Sequence, residues 1–234
     1  GAYRYYSDQF DSMWCCTGTG LEVPGKLGKM IYTRSADDAS VSVQLFAPST
    51  LDWKSRGVKL RQETRFPYEQ GTTLVVEAAP TDAAFTLKVR HPAWVADAAF
   101  AVTVNGVKVA GESKAGSYFA IKRKWNRGDR VQVALPMTLR LEMLPHSKRF
   151  GAFVYGPIVL ARDENIDRHY ADPVTIKTSH HGLVSLKPVT PTLTTARMEF
   201  LVPTTTGRIR MVDYASVNCW GGLHICTWLP MRGK

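Results

Sequence analysis

The stretch Ala101-Val102-Thr103-Val104-Asn105-Gly106-Val107-Lys108-Val109 decides the fold class. Apolar and polar residues alternate on both sides of Asn105-Gly106, the period of a strand with one buried face. Asn-Gly tolerates positive φ at both central positions, so the pair predicts a two-residue hairpin. Upstream, the same alternation recurs in Phe85-Thr86-Leu87-Lys88-Val89-Arg90, in Thr72-Thr73-Leu74-Val75-Val76-Glu77, in Val58-Lys59-Leu60-Arg61-Gln62-Glu63-Thr64 and in residues 40–46. Downstream it continues through Tyr118-Phe119-Ala120-Ile121, Arg130-Val131-Gln132-Val133-Ala134-Leu135 and residues 138–143. Gly71, Gly116 and Asn126-Arg127-Gly128-Asp129 punctuate the series. Short strands at intervals of roughly ten residues, with turn chemistry between them, predict a mainly β protein built on an antiparallel β-sandwich.

Composition narrows the class. A chain of 234 residues, 44% hydrophobic and 21% charged, can bury a core without disulfide staples, and 4 cysteines are too few for a disulfide scaffold. No apolar run approaches the roughly 18 residues a membrane-spanning helix needs, so no membrane partner is expected. The net charge of +10 invites a nucleic-acid reading, and residues 35–162 carry most of it, with 18 basic and 11 acidic side chains. Those cations are interspersed with polar and apolar residues. The only run, Lys122-Arg123-Lys124, ends at Trp125-Asn126 and reads as the solvent face of a strand entering a turn. No nucleic-acid partner is expected.

Residues 1–34 have a different character. Leu27, Met30 and Ile31, with Pro24 placed to suit a first turn, predict one helix over residues 23–32, preceded by a loop that holds Cys15-Cys16. One amphipathic helix cannot bury its own face. It must pack on the sandwich or belong to a helical domain mostly outside this chain. The chain opens Gly1-Ala2 rather than with Met, as a processed or excised piece would. Three segments are expected: residues 1–34, a sandwich over 35–162, and a weakly patterned 163–234 in which 174–187 and 198–202 are candidate strands.

The adjacent cysteines allow four readings. They are ordinary small apolar residues, a strained vicinal disulfide, a redox or metal-scavenging pair, or thiolates held by a metal with one acting as nucleophile. Thr17-Gly18-Thr19-Gly20 follows them, a turn that brings backbone close to a site, and a helix N-terminus nearby favours thiolates. Zinc takes four ligands. Cys219 and Cys226 do not form a standard half-site with the pair, and His180-His181 has no ligand spacing to it. Partners for a metal at Cys15 and Cys16 are therefore expected largely outside the chain.

The segment Phe10-Asp11-Ser12-Met13-Trp14-Cys15-Cys16-Thr17-Gly18-Thr19-Gly20-Leu21-Glu22 resembles the active-site segment of bacterial β-L-arabinofuranosidases of glycoside hydrolase families 127 and 146, the former domain of unknown function 1680. The resemblance continues through Phe46-Ala47-Pro48-Ser49-Thr50-Leu51-Asp52-Trp53, Gln62-Glu63-Thr64-Arg65-Phe66-Pro67-Tyr68 and Arg90-His91-Pro92-Ala93-Trp94. It takes in Val104-Asn105-Gly106, Trp125-Asn126-Arg127-Gly128-Asp129 and residues 149–161. It implies an (α/α)6 barrel, whose C-terminal remnant would be residues 1–34, followed by β-sandwich domains. It also implies a retaining hydrolase with Cys15 as nucleophile and zinc ligand and Cys16 as a neighbouring zinc ligand. In the family the third cysteine, the ligand glutamate and the acid/base glutamate lie upstream of the pair, and no residue of this chain matches them. Glu22 follows the pair and at most orients it.

The expectation from sequence is therefore the C-terminal portion of a zinc-dependent β-L-arabinofuranosidase-like hydrolase, inactive as an isolated chain. Its partners would be arabinofuranose-containing glycans and the upstream barrel, in a periplasmic or extracellular rather than cytoplasmic setting. The alternative is a non-catalytic carbohydrate-binding or structural sandwich, in which Trp53, Trp94 or Trp125 would either stack on sugar rings or pack the core.

Overall fold

Alternation in the sequence becomes two stacked sheets. The computed structural model describes residues 15–146, 149–162, 184–185, 192–194, 197–204, 207–216 and 227–231. The chain forms two compact units, divided between Pro136 and Met137. In the first, helix α1 (Cys15–Leu27) precedes strands β1 (Tyr32–Arg34), β2 (Ser40–Val43), β3 (Ser49–Trp53), β4 (Val58–Glu63) and β5 (Gly71–Ala78). Strands β6 (Ala83–His91), β7 (Ala101–Val104), β8 (Val107–Lys108), β9 (Ser117–Trp125) and β10 (Arg130–Ala134) complete it. One sheet has the order β1-β2-β6-β9 and the other β3-β4-β5-β10-β7-β8.

Phe85, Leu87 and Val89 of β6 and Phe119, Ile121 and Trp125 of β9 point inward, and the even-numbered residues between them face outward. They meet Leu60, Leu74, Val102, Val131 and Val133 of the other sheet in one buried cluster. Trp125 is fully buried, its indole nitrogen donating to the Phe85 carbonyl at 3.0 Å. Its ring stacks on Phe85 at 5.5 Å, and Phe85 meets Trp53 edge-on at 5.4 Å.

The Asn105-Gly106 hairpin forms as expected, with φ of 52° and 82° joining β7 to β8. Lys122, Arg123 and Lys124 are exposed on β9, as the reading of that run required. Three features differ from expectation. The sandwich is not wholly antiparallel, because β2 pairs parallel with β6. Tyr32, expected at the end of the helix, instead opens strand β1, because Tyr32 to Arg34 add to the β2 edge. Finally, the first unit closes at Pro136 rather than at Arg162. Leu135 still packs in the first core, whereas Leu139 and Leu141 lie in a strand of the second unit.

That second unit contains β11 (Leu139–Met143), β12 (Phe150–Tyr155), β13 (Ile158–Arg162), β14 (Val184–Ser185), β15 (Thr192–Thr194), β16 (Arg197–Thr204), β17 (Gly207–Asp213) and β18 (Leu229–Pro230). They form a sheet of order β14-β11-β12-β13-β17-β16-β15, with β18 beside β12. The candidate strand at 198–202 lies within β16. Of the candidate at 174–187, only 184–185 falls within the described residues as strand. Cys219, Cys226 and His180-His181 lie outside the described residues.

Truncating the buried indole removes its packing and its hydrogen bond together. Trp125→Ala should lower unfolding free energy by about 3–5 kcal/mol, measured by urea denaturation. A loss under about 1 kcal/mol would show that the indole does not organise the core.

Candidate functional site

Helix α1 is an improbable helix on local grounds. Its sequence CCTGTGLEVPGKL holds three glycines and Pro24, which removes a donor from the helix interior. Thirteen residues of this composition gain little from propensity, so tertiary support must hold them. Yet Thr19 to Met30 are exposed throughout, with Leu21 at 75% and Met30 at 57%. The expected packing face therefore exists, and among the described residues nothing covers it. Cys15 and Cys16 lie in the helix itself instead of in a loop before it. The helix already includes residues eight positions before the start that the apolar spacing indicated, since that spacing marks only residues that are buried in some setting. Glu22 pairs with Lys26 one turn on, both 63% exposed, an arrangement worth only a few tenths of a kcal/mol.

Zinc takes four donors, and two adjacent thiols supply half of them. Among the described residues no three His, Cys, Asp or Glu side chains gather to hold a metal ion. The described residues do not make a zinc site on their own.

The other motifs become joints of the sandwich. Gln62 is buried and accepts from the Tyr32 hydroxyl at 3.3 Å while donating to the Leu45 carbonyl at 3.3 Å. The Tyr32 hydroxyl also meets Ser49 Oγ at 3.0 Å, and burial raises its pKa. His91 is fully buried, with Nδ1 at 2.8 Å from Ser113 Oγ and Nε2 at 3.0 Å from the Val95 carbonyl. Phe66 stacks on Trp94 at 6.0 Å. With Trp53 and Trp125 buried and Trp94 packed on Phe66, the sugar-stacking role for these residues gives way to packing.

Two polar clusters escaped the sequence reading. Asp38 Oδ2 accepts from the Ser55 hydroxyl at 2.6 Å, and Oδ1 accepts from the Trp53 indole at 2.8 Å and Arg34 at 3.0 Å. The Ser55 bond, then the Trp53 bond, holds the carboxyl below its ordinary value. Glu63 accepts from Arg130 at 2.8 Å and from Arg61, which also binds Glu77; the Arg130 bond is the main cause lowering the Glu63 pKa. Neither cluster is legible in local spacing alone, because Trp53 on the opposite sheet and Ser55 just beyond it reach Asp38, and Arg130 reaches Glu63 from another strand.

Residues 40–137 match the model of the β-L-arabinofuranosidase GH127 middle domain. The matched span covers β2 to β10 and so coincides with the sandwich. Three solved structures share the fold. A glycoside hydrolase has a TM-score of 0.73 and 23% identity, covering 96% of this chain and 41% of its own. A GH127 β-arabinofuranosidase has a TM-score of 0.68 and 22% identity, covering 93% and 38%. A GH127 β-L-arabinofuranosidase from Geobacillus stearothermophilus T6 has a TM-score of 0.68 and 21% identity, covering 93% and 37%. The chain thus spans about two fifths of the length of the solved structures it matches. No curated protein matches it. The resemblance read from the motifs thus stands for the sandwich, which is similar to the middle domain of GH127 β-L-arabinofuranosidases. No described helix is long and apolar enough to cross a membrane.

The Asp38 cluster gives a pH test. Its folded pKa lies below the unfolded value of ~3.9, so its stabilisation is fully present above that pH and is lost as pH falls through the folded value. Asp38→Asn should lower the melting temperature at neutral pH, and the gap from wild type should close on acidification below the carboxylate range. A gap that stays constant with pH would refute the assignment.

Proposed function

We propose that this chain is part of a retaining β-L-arabinofuranosidase-type glycoside hydrolase in which Cys15 is the nucleophile. The match of the sandwich to the GH127 middle domain carries the reading, with Cys15 and Cys16 in the helix that precedes it. As the C15 thiolate attacks the anomeric carbon, a C–S bond forms and the glycosidic C–O bond breaks, the leaving oxygen taking a proton from an acid. Water then bonds the anomeric carbon as the C–S bond breaks, its proton passing to the conjugate base of that acid, and the thiolate is released. None of the described residues is assigned as that acid. Cys16 and Cys15 are also the proposed thiolate ligands of zinc, whose remaining donors would come from other residues, and the exposed apolar face of α1 fits a remnant of a helical catalytic domain.

The test has two arms. In the protein that carries this chain, Cys15→Ala should cut hydrolysis of a nitrophenyl β-L-arabinofuranoside by at least about a thousandfold. The isolated 234-residue chain should show neither turnover nor stoichiometric zinc. Full activity in the variant would remove the nucleophile assignment, and tight zinc in the isolated chain would remove the claim that half the donors lie elsewhere.

A further inference from the structure

Outward-facing residues of the six-stranded sheet line a groove of about 510 Å³ that the enzyme reading does not use. Register builds it. Glu63 on β4 pairs with Thr73 on β5, Thr73 with Gln132 on β10, and Gln132 with Thr103 on β7. Four hydrogen-bonding side chains therefore stand in one row across four strands, spanning roughly 14 Å at the usual strand spacing. The loop residues Glu69 and Gln70 form the opposite wall, held in place by the Leu135 amide donating to the Gln70 carbonyl at 2.9 Å. Between row and wall, Gly71, Ala134 and Ala101 pair across the same strands, and their small size gives the trough its depth. Gly71 has no alternative, since a Cβ there would sit 2.9 Å from the Val133 carbonyl oxygen.

The chemistry of the lining selects the ligand. Arg130 and Arg61 neutralise the Glu63 carboxylate, and Arg65 lies 3.4 Å from Glu69. No unpaired cation lines the groove to attract a polyanion, and no aromatic ring offers a base a stacking platform. What remains is neutral and able to donate and accept. Gln132 Oε1 accepts from the Thr103 hydroxyl at 3.2 Å, which leaves its amide N–H groups and the Thr73 hydroxyl without partners among the described residues. Hydroxyls and a side-chain amide spaced along a trough complement a chain of sugar hydroxyls.

We propose that this groove binds a neutral oligosaccharide chain, with Thr73, Thr103 and Gln132 hydrogen-bonding its hydroxyls. It rests on the glycoside hydrolase reading only for the choice of probe, linear arabino-oligosaccharides. Without aromatic stacking the complex is weak and specified by hydrogen bonds.

The test is a titration of the isotope-labelled 234-residue chain, followed by amide chemical shifts. Saturable shifts at Thr73, Gln132 and Thr103 are expected. Gln132→Ala should weaken binding by about fivefold, and Ala134→Leu, which fills the trough from an exposed position, should abolish it without lowering the melting temperature. Lys122→Ala on the other sheet should change nothing. Absence of saturation, insensitivity to both groove variants, or preference for oligogalacturonate or single-stranded DNA would overturn the proposal. Binding here with no hydrolysis by the parent protein would keep the groove and remove the enzyme reading; hydrolysis without binding here would do the reverse.

Discussion

The sandwich depends on one buried carboxylate. Asp129, 7% exposed, accepts from the Asn126 amide at 2.9 Å and from the Asn105 side chain at 2.8 Å. The Asn105 side-chain oxygen in turn accepts from the Arg130 amide at 2.9 Å. On the other side, the Val76 amide donates to the Asp129 carbonyl at 2.9 Å, and the Gly128 amide donates to Val76 at 2.8 Å. The start of β10 is thus pinned to both neighbours, β7 and β5. Slipping β10 by one residue would turn Gln132 into the core and Val131 and Val133 out to water. Core, row and groove share this single registration.

This joint explains why two separated motifs, Asn105-Gly106 and the turn at 126–129, belong to one feature. Most residues of the family resemblance act in the same way: Gln62, His91, Trp94 and Trp125 bind loops and sheets to each other. The central positive charge also finds ordinary employment. Arg61, Arg123, Lys124 and Arg130 each have an acidic neighbour, in mostly exposed pairs of small energetic weight.

Strands with strict alternation were legible because burial on one face writes a period of two into the sequence. Strand β3 was not, since among its five residues only Trp53 is buried. The unit boundary was hidden because alternation continues on both sides of Pro136 and carries no sign of which core a strand serves. Helix α1 was legible only in its second half, because Cys-Cys-Thr-Gly-Thr-Gly has no apolar spacing to betray a turn. The cysteine pair stood out as an oddity and through its neighbours in sequence. The groove could not stand out, since Thr73, Thr103 and Gln132 become neighbours only through pairing.

The parallel contact of β2 with β6 sets the order in which the molecule can assemble. Ser40 must find Thr86, with β3, β4 and β5 lying between them in the chain and belonging to the opposite sheet. Hairpins such as β4–β5 and β7–β8 can close from neighbouring residues, but the smaller sheet cannot grow that way. As the chain leaves the ribosome, β2 waits, its edge unpaired on the β6 side, until the other sheet's first three strands and then β6 have been made. Closing so long a loop is paid for in entropy before any contact repays it, which places the smaller sheet late in folding.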